Sequence, residues 1–369
     1  MKPEHLPRLD GLRGVAAFGV AFLHLGLVRS VGPDPFVGLP IPEWIEKDAW
    51  MLVDLFFVLS GYIFAHCYLQ DGKMKKGVTS QSFSVSRFAR LWPVSIATLL
   101  MSIWLLRADP TTNLSNILLS ASFLHILVDP FALNVSAWSI SVEVLCYAIF
   151  MCAALAGRRY LAIVTLICIC LGGWLILQDS HENIGRGLIG FFAGQVLRRN
   201  EDKLRIWMVA PMAFIPFFGS GEAWHLIANA ILGWPAVIIL SKRLPLFESR
   251  IFTWLGSRSY SIYMIHIPAM YFVRQVSPLL GDLQAQDVAM LVVAAMVITL
   301  WGAEILYQTV EARGARRSSR HMQTGENVRK LYRQPPQKTR HIHEPEHSQF
   351  ETRTSARGAA TSSNAGNEQ

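Results

Sequence analysis

Three groups of residues carry types and spacings that could do chemistry. Arg13 and His24 lie eleven residues apart in LDGLRGVAAFGVAFLH. Helical geometry puts them within about 20° of one face and about 16 Å apart along the axis. Asp10 falls near the same stripe, and the small Ala17 between them leaves room for something to lie along it. Arg87 and Arg90, three apart in FSVSRFARLWPV, share a helix face. Two neighbouring guanidinium groups can hold a phosphate or diphosphate by paired hydrogen bonds. Glu143 sits several residues inside the apolar run SAWSISVEVLCYAIF, with Ser139 four residues earlier on the same face. Such a carboxylate is either protonated or needs a cationic partner from another helix. Two further stretches are polar within apolar surroundings. Asp54 and Ser60 lie in DLFFVLSGYIFA, where Ser60-Gly61 offers close backbone approach. Tyr260, Tyr263 and His266 form a stripe in SRSYSIYMIH.

These groups matter because their surroundings are made for lipid. The chain has 369 residues, 52% hydrophobic and 16% charged; a soluble chain carries about a quarter charged residues. The apolar residues come in long blocks, and about 20 such residues cross a bilayer core as a helix. An all-α, polytopic transmembrane bundle is therefore expected. Ionisable side chains inside such a bundle are costly, and they mark cavities, substrate paths or buried partners. The net charge of +8 does not indicate nucleic acid. Its positive residues gather at helix ends and in the tail, where membrane orientation explains them.

Ten spans are expected, at about 11–29, 50–70, 86–106, 138–157, 160–178, 184–198, 205–220, 223–241, 255–273 and 288–310. The segments 184–198 and 205–220 carry the weakest signals. The apolar stretch 114–128 is short and is expected to be interfacial or re-entrant. With the N-terminus inside, 22 Lys and Arg up to residue 320 fall on the inner side. Five fall outside: Arg29, Lys47, Arg107, Arg186 and Arg274. By the positive-inside rule both termini are cytoplasmic. Trp138 is expected to mark the outer interface of its span, and Pro93 to kink the third. The first apolar run lacks a small-x-small cleavage site and is read as an uncleaved helix. Residues 1–311 form the membrane domain. Residues 312–369, opening on ARGARRSSR, read as a basic tail without a core, suited to anionic headgroups. Its His341, His343 and His347 are read as solvated. The five cysteines form no C-x-x-C pair and are read as packing residues; no metal site is expected.

Taken in order, these stretches resemble the membrane-bound acyltransferase-3 family. The matching features are the R-x10-H of Arg13 and His24 and the FFxxSGY of Phe56, Phe57, Ser60, Gly61 and Tyr62. The R-x-x-R of Arg87 and Arg90, the W-S-x-x-x-E of Trp138, Ser139 and Glu143, and the SYSIYMIH of 259–266 complete the set. The likeness covers about residues 6 to 310, without the SGNH-hydrolase domain that some members append.

The resemblance implies a multi-pass enzyme of the bacterial inner membrane. It would move an acyl group, often acetyl, from acyl-CoA to a hydroxyl of a cell-surface or exported carbohydrate or glycolipid. It makes Arg13, His24 and Glu143 functionally essential and ties Arg87 and Arg90 to the donor. Asp10, Asp54, Ser60, Tyr260, Tyr263 and His266 are candidates to line the site on the present reading alone. Histidine suits the base because its pKa lies near operating pH, with Glu143 orienting it if the two meet. Buried His, Glu and Arg also suit a transporter or flippase of a glycan precursor, which stands as the alternative. Action alone, as a homodimer, or with a separate periplasmic transferase is left open.

Overall fold

In the computed structural model, residues 6–38, 40–128, 133–219 and 221–312 are described. The tail from 313 onward, including its basic run and histidines, lies outside the described residues. Apart from one hairpin of two-residue strands, the regular elements of the described residues are all helical.

Seven of the ten expected segments are helices long and apolar enough to cross a membrane. They are α1 (Pro7–Arg29), α2 (Ala49–Tyr68), α3 (Ser80–Leu105), α4 (Val135–Ala156), α5 (Arg158–Leu177), α8 (Ala223–Ser241) and α10 (Ala285–Glu311). Two more, α6 (Glu182–Asn200) and α9 (Arg250–Val276), are long enough but too polar on average to join them. The polar residues midway along each face protein: α6 buries Gly185 through Gln195 without a break, and α9 buries Ser259, Ser261 and His266. A helix surrounded by other helices need not be apolar all round. The tenth, α7 (Ile206–Phe217), is short, and Pro211 and Pro216 hold its second part as a 3-10 helix. The stretch 114–128 forms two helices too short to cross, Leu114–Ala121 and His125–Val128. Helix α3 runs unbroken through Pro93.

Two close helix pairs set the geometry of the interior. Helices α2 and α6 approach so nearly that a Cβ on Gly61 would collide with the Phe191 carbonyl, and one on Gly194 with that of Val58. Helices α1 and α9 meet in the same way at Gly14 and Gly256. Small residues let membrane helices pack at short range, and these contacts bring Ser60 and Arg13 inward. Around Ser60 lies an aromatic core. Phe64 stacks on Tyr147 with centroids 4.2 Å apart, and Phe83, Phe150 and Phe191 meet Phe64 edge-on. Helices α5 and α10 are the least buried of the seven spans and form lipid-facing walls.

Two further devices fix the backbone. Asp71-Gly72, both at positive φ, close a hairpin pairing Leu69–Gln70 with Lys73–Met74. Pro268 lacks the N–H that would bond the Met264 carbonyl. The Asn134 side chain donates to that carbonyl instead, at 2.8 Å, tying the start of α4 to α9 beside His266.

Candidate active site

All the candidate residues except Asp10 and Asp54 line one or both of two cavities in the bundle; those two carboxylates instead pair with lining arginines, Asp10 with Arg13 and Asp54 with Arg186. The first is an open cleft whose empty space, mouth included, is about 810 Å³. Arg13, Ser60, Arg87, Arg90, Ser139, Glu143, Tyr147, Tyr260 and Tyr263 lie on its wall. The second, about 520 Å³ of empty space, is lined by His24, Trp50, Trp138, Asn183, Arg186, Tyr263 and His266 among others. The first takes Arg13 from the early part of α1, residues 56–64 of α2 and residues 139–147 of α4. The second takes the end of α1 and the starts of α2, α4 and α6. The two are therefore stacked along the bundle, and Tyr263 belongs to both. Its hydroxyl and the Ser139 hydroxyl are 2.8 Å apart, so this pair forms part of the wall between them.

In the first cavity Glu143 is held by two hydroxyls. Ser60 Oγ and Tyr147 OH each donate to Glu143 Oε1 at 2.5 Å. The expected cationic partner is not in contact with it, though Arg13, Arg87 and Arg90 line the same cleft. Arg13 is fixed by Asp10 at 2.8 Å, Ser259 Oγ at 2.8 Å and the Gly256 carbonyl at 3.2 Å. Tyr260 donates to the Leu91 carbonyl at 2.6 Å, joining α9 to α3.

The two arginines of R-x-x-R differ. Arg87 donates to Tyr68 OH at 2.7 Å and lies over the rings of Phe64 and Tyr68, 5.0 and 5.4 Å from their centroids. Arg90 makes no hydrogen bond or ion pair among the described residues, so its guanidinium is available to a ligand. Arg87 is the braced member and Arg90 the open one.

In the second cavity His24 Nδ1 lies 2.8 Å from the Val20 carbonyl oxygen. A carbonyl only accepts, so the neutral ring carries its proton on Nδ1 and its lone pair on Nε2. His266 repeats the arrangement, with Nδ1 2.6 Å from the Tyr263 carbonyl. The two rings have centroids 5.0 Å apart. Asp54 is buried and accepts from Arg186 Nε at 2.8 Å. Arg186 in turn lies over Trp50 at 4.5 Å and Trp138 at 5.2 Å.

One expectation needs correction. Glu143 does not meet His24: they line different cavities, and no hydrogen bond among the described residues joins them. Arg186, counted on the outer side, is a buried cation near the start of α6, received by Asp54 and two indoles. Trp138 is partly buried against Phe57 and Arg186. Sequence reading also passed over Tyr147, Asn183 and Trp50. Tyr147 was legible, since it lies four residues from Glu143 on the same helix face. Nothing local marks Asn183 or Trp50. Among the described residues no cluster of three or more His, Cys, Asp or Glu could hold a metal ion.

Comparison with known proteins follows the same lines. The profile of the acyltransferase-3 family, described as an acyltransferase domain, matches residues 6–308. The chain belongs to this family and carries an acyltransferase domain in a multi-pass helical membrane fold. It is 37% identical over 98 residues to "Protein 2 in picA locus" of Rhizobium radiobacter, covering 26% of this chain and 44% of that one. It is 27% identical over 125 residues to a putative O-acetyltransferase of Staphylococcus aureus (strain COL), covering 33% and 18%. Similarity to a peptidoglycan O-acetyltransferase of Listeria monocytogenes is 31% over 90 residues, covering 24% and 12%. The matched segments thus span less than half the length of each of these relatives. No solved structure matches the chain significantly.

Proposed function

We propose that this protein is an O-acyltransferase of the bacterial inner membrane, moving an acetyl group from acetyl-CoA to a hydroxyl of a cell-surface or exported carbohydrate. The observation that carries the reading is the stacking of two cavities that share Tyr263, one with arginines at its wall and the other with His24. Ten crossings with both termini in the cytoplasm open the arginine cavity toward the cytoplasm, where CoA is made. Residues 1–311 are the catalytic domain and 312–369 a basic cytoplasmic tail. O-acetyltransferases among the relatives support acetyl as the group moved, and the peptidoglycan enzyme supports a carbohydrate acceptor.

Arg90 takes the CoA phosphates, too charged to enter lipid, and Arg87 braces that wall. Arg13 and Glu143 flank the pantetheine arm, whose amide N–H groups are natural donors to a carboxylate. The thioester reaches the wall at Tyr263 and the acceptor hydroxyl comes from the other side. The hydroxyl gives its proton to His24 Nε2 as its oxygen bonds to the thioester carbonyl carbon. Collapse of the tetrahedral intermediate breaks the carbon–sulfur bond, and the departing thiolate of CoA takes the proton back. The products are the acetyl ester and free CoA. Bringing both substrates into one water-poor site supplies much of the acceleration.

The test is deletion of the gene in its native host with mass spectrometry of surface glycans. Wild type and His24→Ala are restored in parallel at equal protein level. A missing acetyl mass, recovered by wild type alone, is the expected result. Full recovery by His24→Ala removes His24 from the chemistry, and unchanged glycans remove the carbohydrate acceptor.

A further inference from the structure

The hairpin after α2 meets the ends of two other helices at one charged spot. A Cβ on Gly72 would lie 3.3 Å from Arg158 Cγ and 3.4 Å from Arg199 Nη2. Arg158 is the first residue of α5, and Arg199 lies in the last turn of α6. Both arginines are exposed, and neither makes a side-chain hydrogen bond or ion pair among the described residues. Lys73, next in the hairpin, is exposed and its ammonium is equally free. Acids near these cations in the chain do not answer them. Glu201 is held by Arg198 at 2.9 Å and by Lys242 at 2.5 Å. Asp71 and Asp202 form no ion pair with any of the three among the described residues. Cations set together without an acid repel one another, so the spot is suited to an anion from outside.

Two guanidinium groups rooted at one spot can match the oxygens of a phosphate group by paired hydrogen bonds. The surroundings decide which phosphate. Neither arginine lines either of the two cavities, so this spot is apart from the path proposed for the donor. From Arg158 onward, α5 carries an exposed apolar stripe of Ile163, Leu166, Ile167, Leu171 and Trp174. Their three- and four-residue spacing puts them on one helix face. The charged spot therefore stands at the head of a lipid-facing wall. A lipid headgroup held there has its acyl chains beside apolar side chains, whereas a free phosphate gains nothing from them.

We infer that Arg158 and Arg199 form a binding site for the phosphodiester headgroup of an anionic glycerophospholipid whose chains lie along α5. Lys73 adds to the attraction, as basic residues at the membrane surface do. The bound headgroup ties the hairpin to the ends of α5 and α6, and that hairpin leads into α3, the helix of Arg87 and Arg90. The inference needs only a membrane-spanning chain and is independent of the transfer reaction.

The experiment is native mass spectrometry of the full chain released from detergent micelles. Phosphatidylglycerol and phosphatidylcholine with the same acyl chains are titrated in parallel. Wild type should retain phosphatidylglycerol in preference to phosphatidylcholine. Arg158→Gln and Arg199→Gln should each weaken that retention about fivefold, and the double variant should weaken it further. Arg243→Gln/Arg250→Gln removes the same charge from exposed positions at the same end of the bundle and should leave retention unchanged. Neither inorganic phosphate nor CoA should displace the lipid. Equal retention of the two lipids overturns the inference, as does an equal loss in the Arg243/Arg250 variant; either would leave only a general positive surface. Displacement by phosphate or by CoA also overturns it, and would give the spot to a free phosphate or to the donor.

Discussion

Asp54 and Arg186 make a salt bridge of 2.8 Å with side chains 3% and 6% exposed. Removing one partner of such a pair strands a charge in a dry interior, which costs about 3 to 5 kcal/mol. Asp54→Asn keeps an acceptor near Arg186 Nε, and Glu182 at 3.8 Å offsets part of the loss. The expected cost is therefore near the lower bound, about 3 kcal/mol. Arg186→Gln strands Asp54, which has no second cation in contact among the described residues, and should cost at least as much. The double variant places two neutral amides where they can bond each other, so it should cost no more than either single change. The resulting coupling is about 3 kcal/mol, within the range for neighbours in one network. Equilibrium unfolding in bicelles followed by tryptophan fluorescence measures it, since Trp50 and Trp138 flank the guanidinium. If the two single costs simply add in the double variant, the pair is not an isolated buried ion pair and the reasoning fails.

Other outcomes follow from the first cavity. Ser60→Ala and Tyr147→Phe each remove one hydroxyl from Glu143 Oε1. Hydrogen bonds to a charged group contribute about 1.5–3 kcal/mol, so each should slow transfer by about tenfold or more. The double variant should lose less than the product of the two, as steady-state rates on membranes would show. Arg90→Ala should raise KM for acetyl-CoA about tenfold or more, with kcat little changed, because a free guanidinium is lost and no internal contact with it. Arg87→Ala should lower the amount of folded protein as well as activity, since Arg87 packs on Phe64 and Tyr68. Equal effects of Arg87 and Arg90 on folded yield would contradict that division.

What was legible in the sequence was mostly local. Apolar blocks of the right length announce helices, because lipid demands a continuous hydrogen-bonded backbone. The shared face of Arg13 and His24 follows from helical repeat, as does the pairing of Arg87 with Arg90. The span α6 carries a weak signal, since average hydropathy cannot tell a buried polar residue from an exposed one. Arg186 shows the cost of that ambiguity. By sequence it is one of five outer-side cations, and contact with Asp54, 132 positions earlier, makes it a core residue. Glu143 was recognised as unusual, but its partner Ser60 lies 83 positions away and Tyr147 was overlooked beside it. The division of the candidates into two cavities is a property of helix packing alone. Glycine contacts such as Gly61 against Phe191 decide it, and single-sequence periodicity does not carry them.

The most direct measurement of the central claim uses sealed membrane vesicles of known sidedness, with labelled acetyl-CoA supplied to one face. Transfer of the label to glycan should require donor at the cytoplasmic face and should vanish in His24→Ala at equal protein level. Transfer that proceeds equally from either face, or that persists in His24→Ala, would contradict a donor cavity and a His24 cavity meeting at Tyr263.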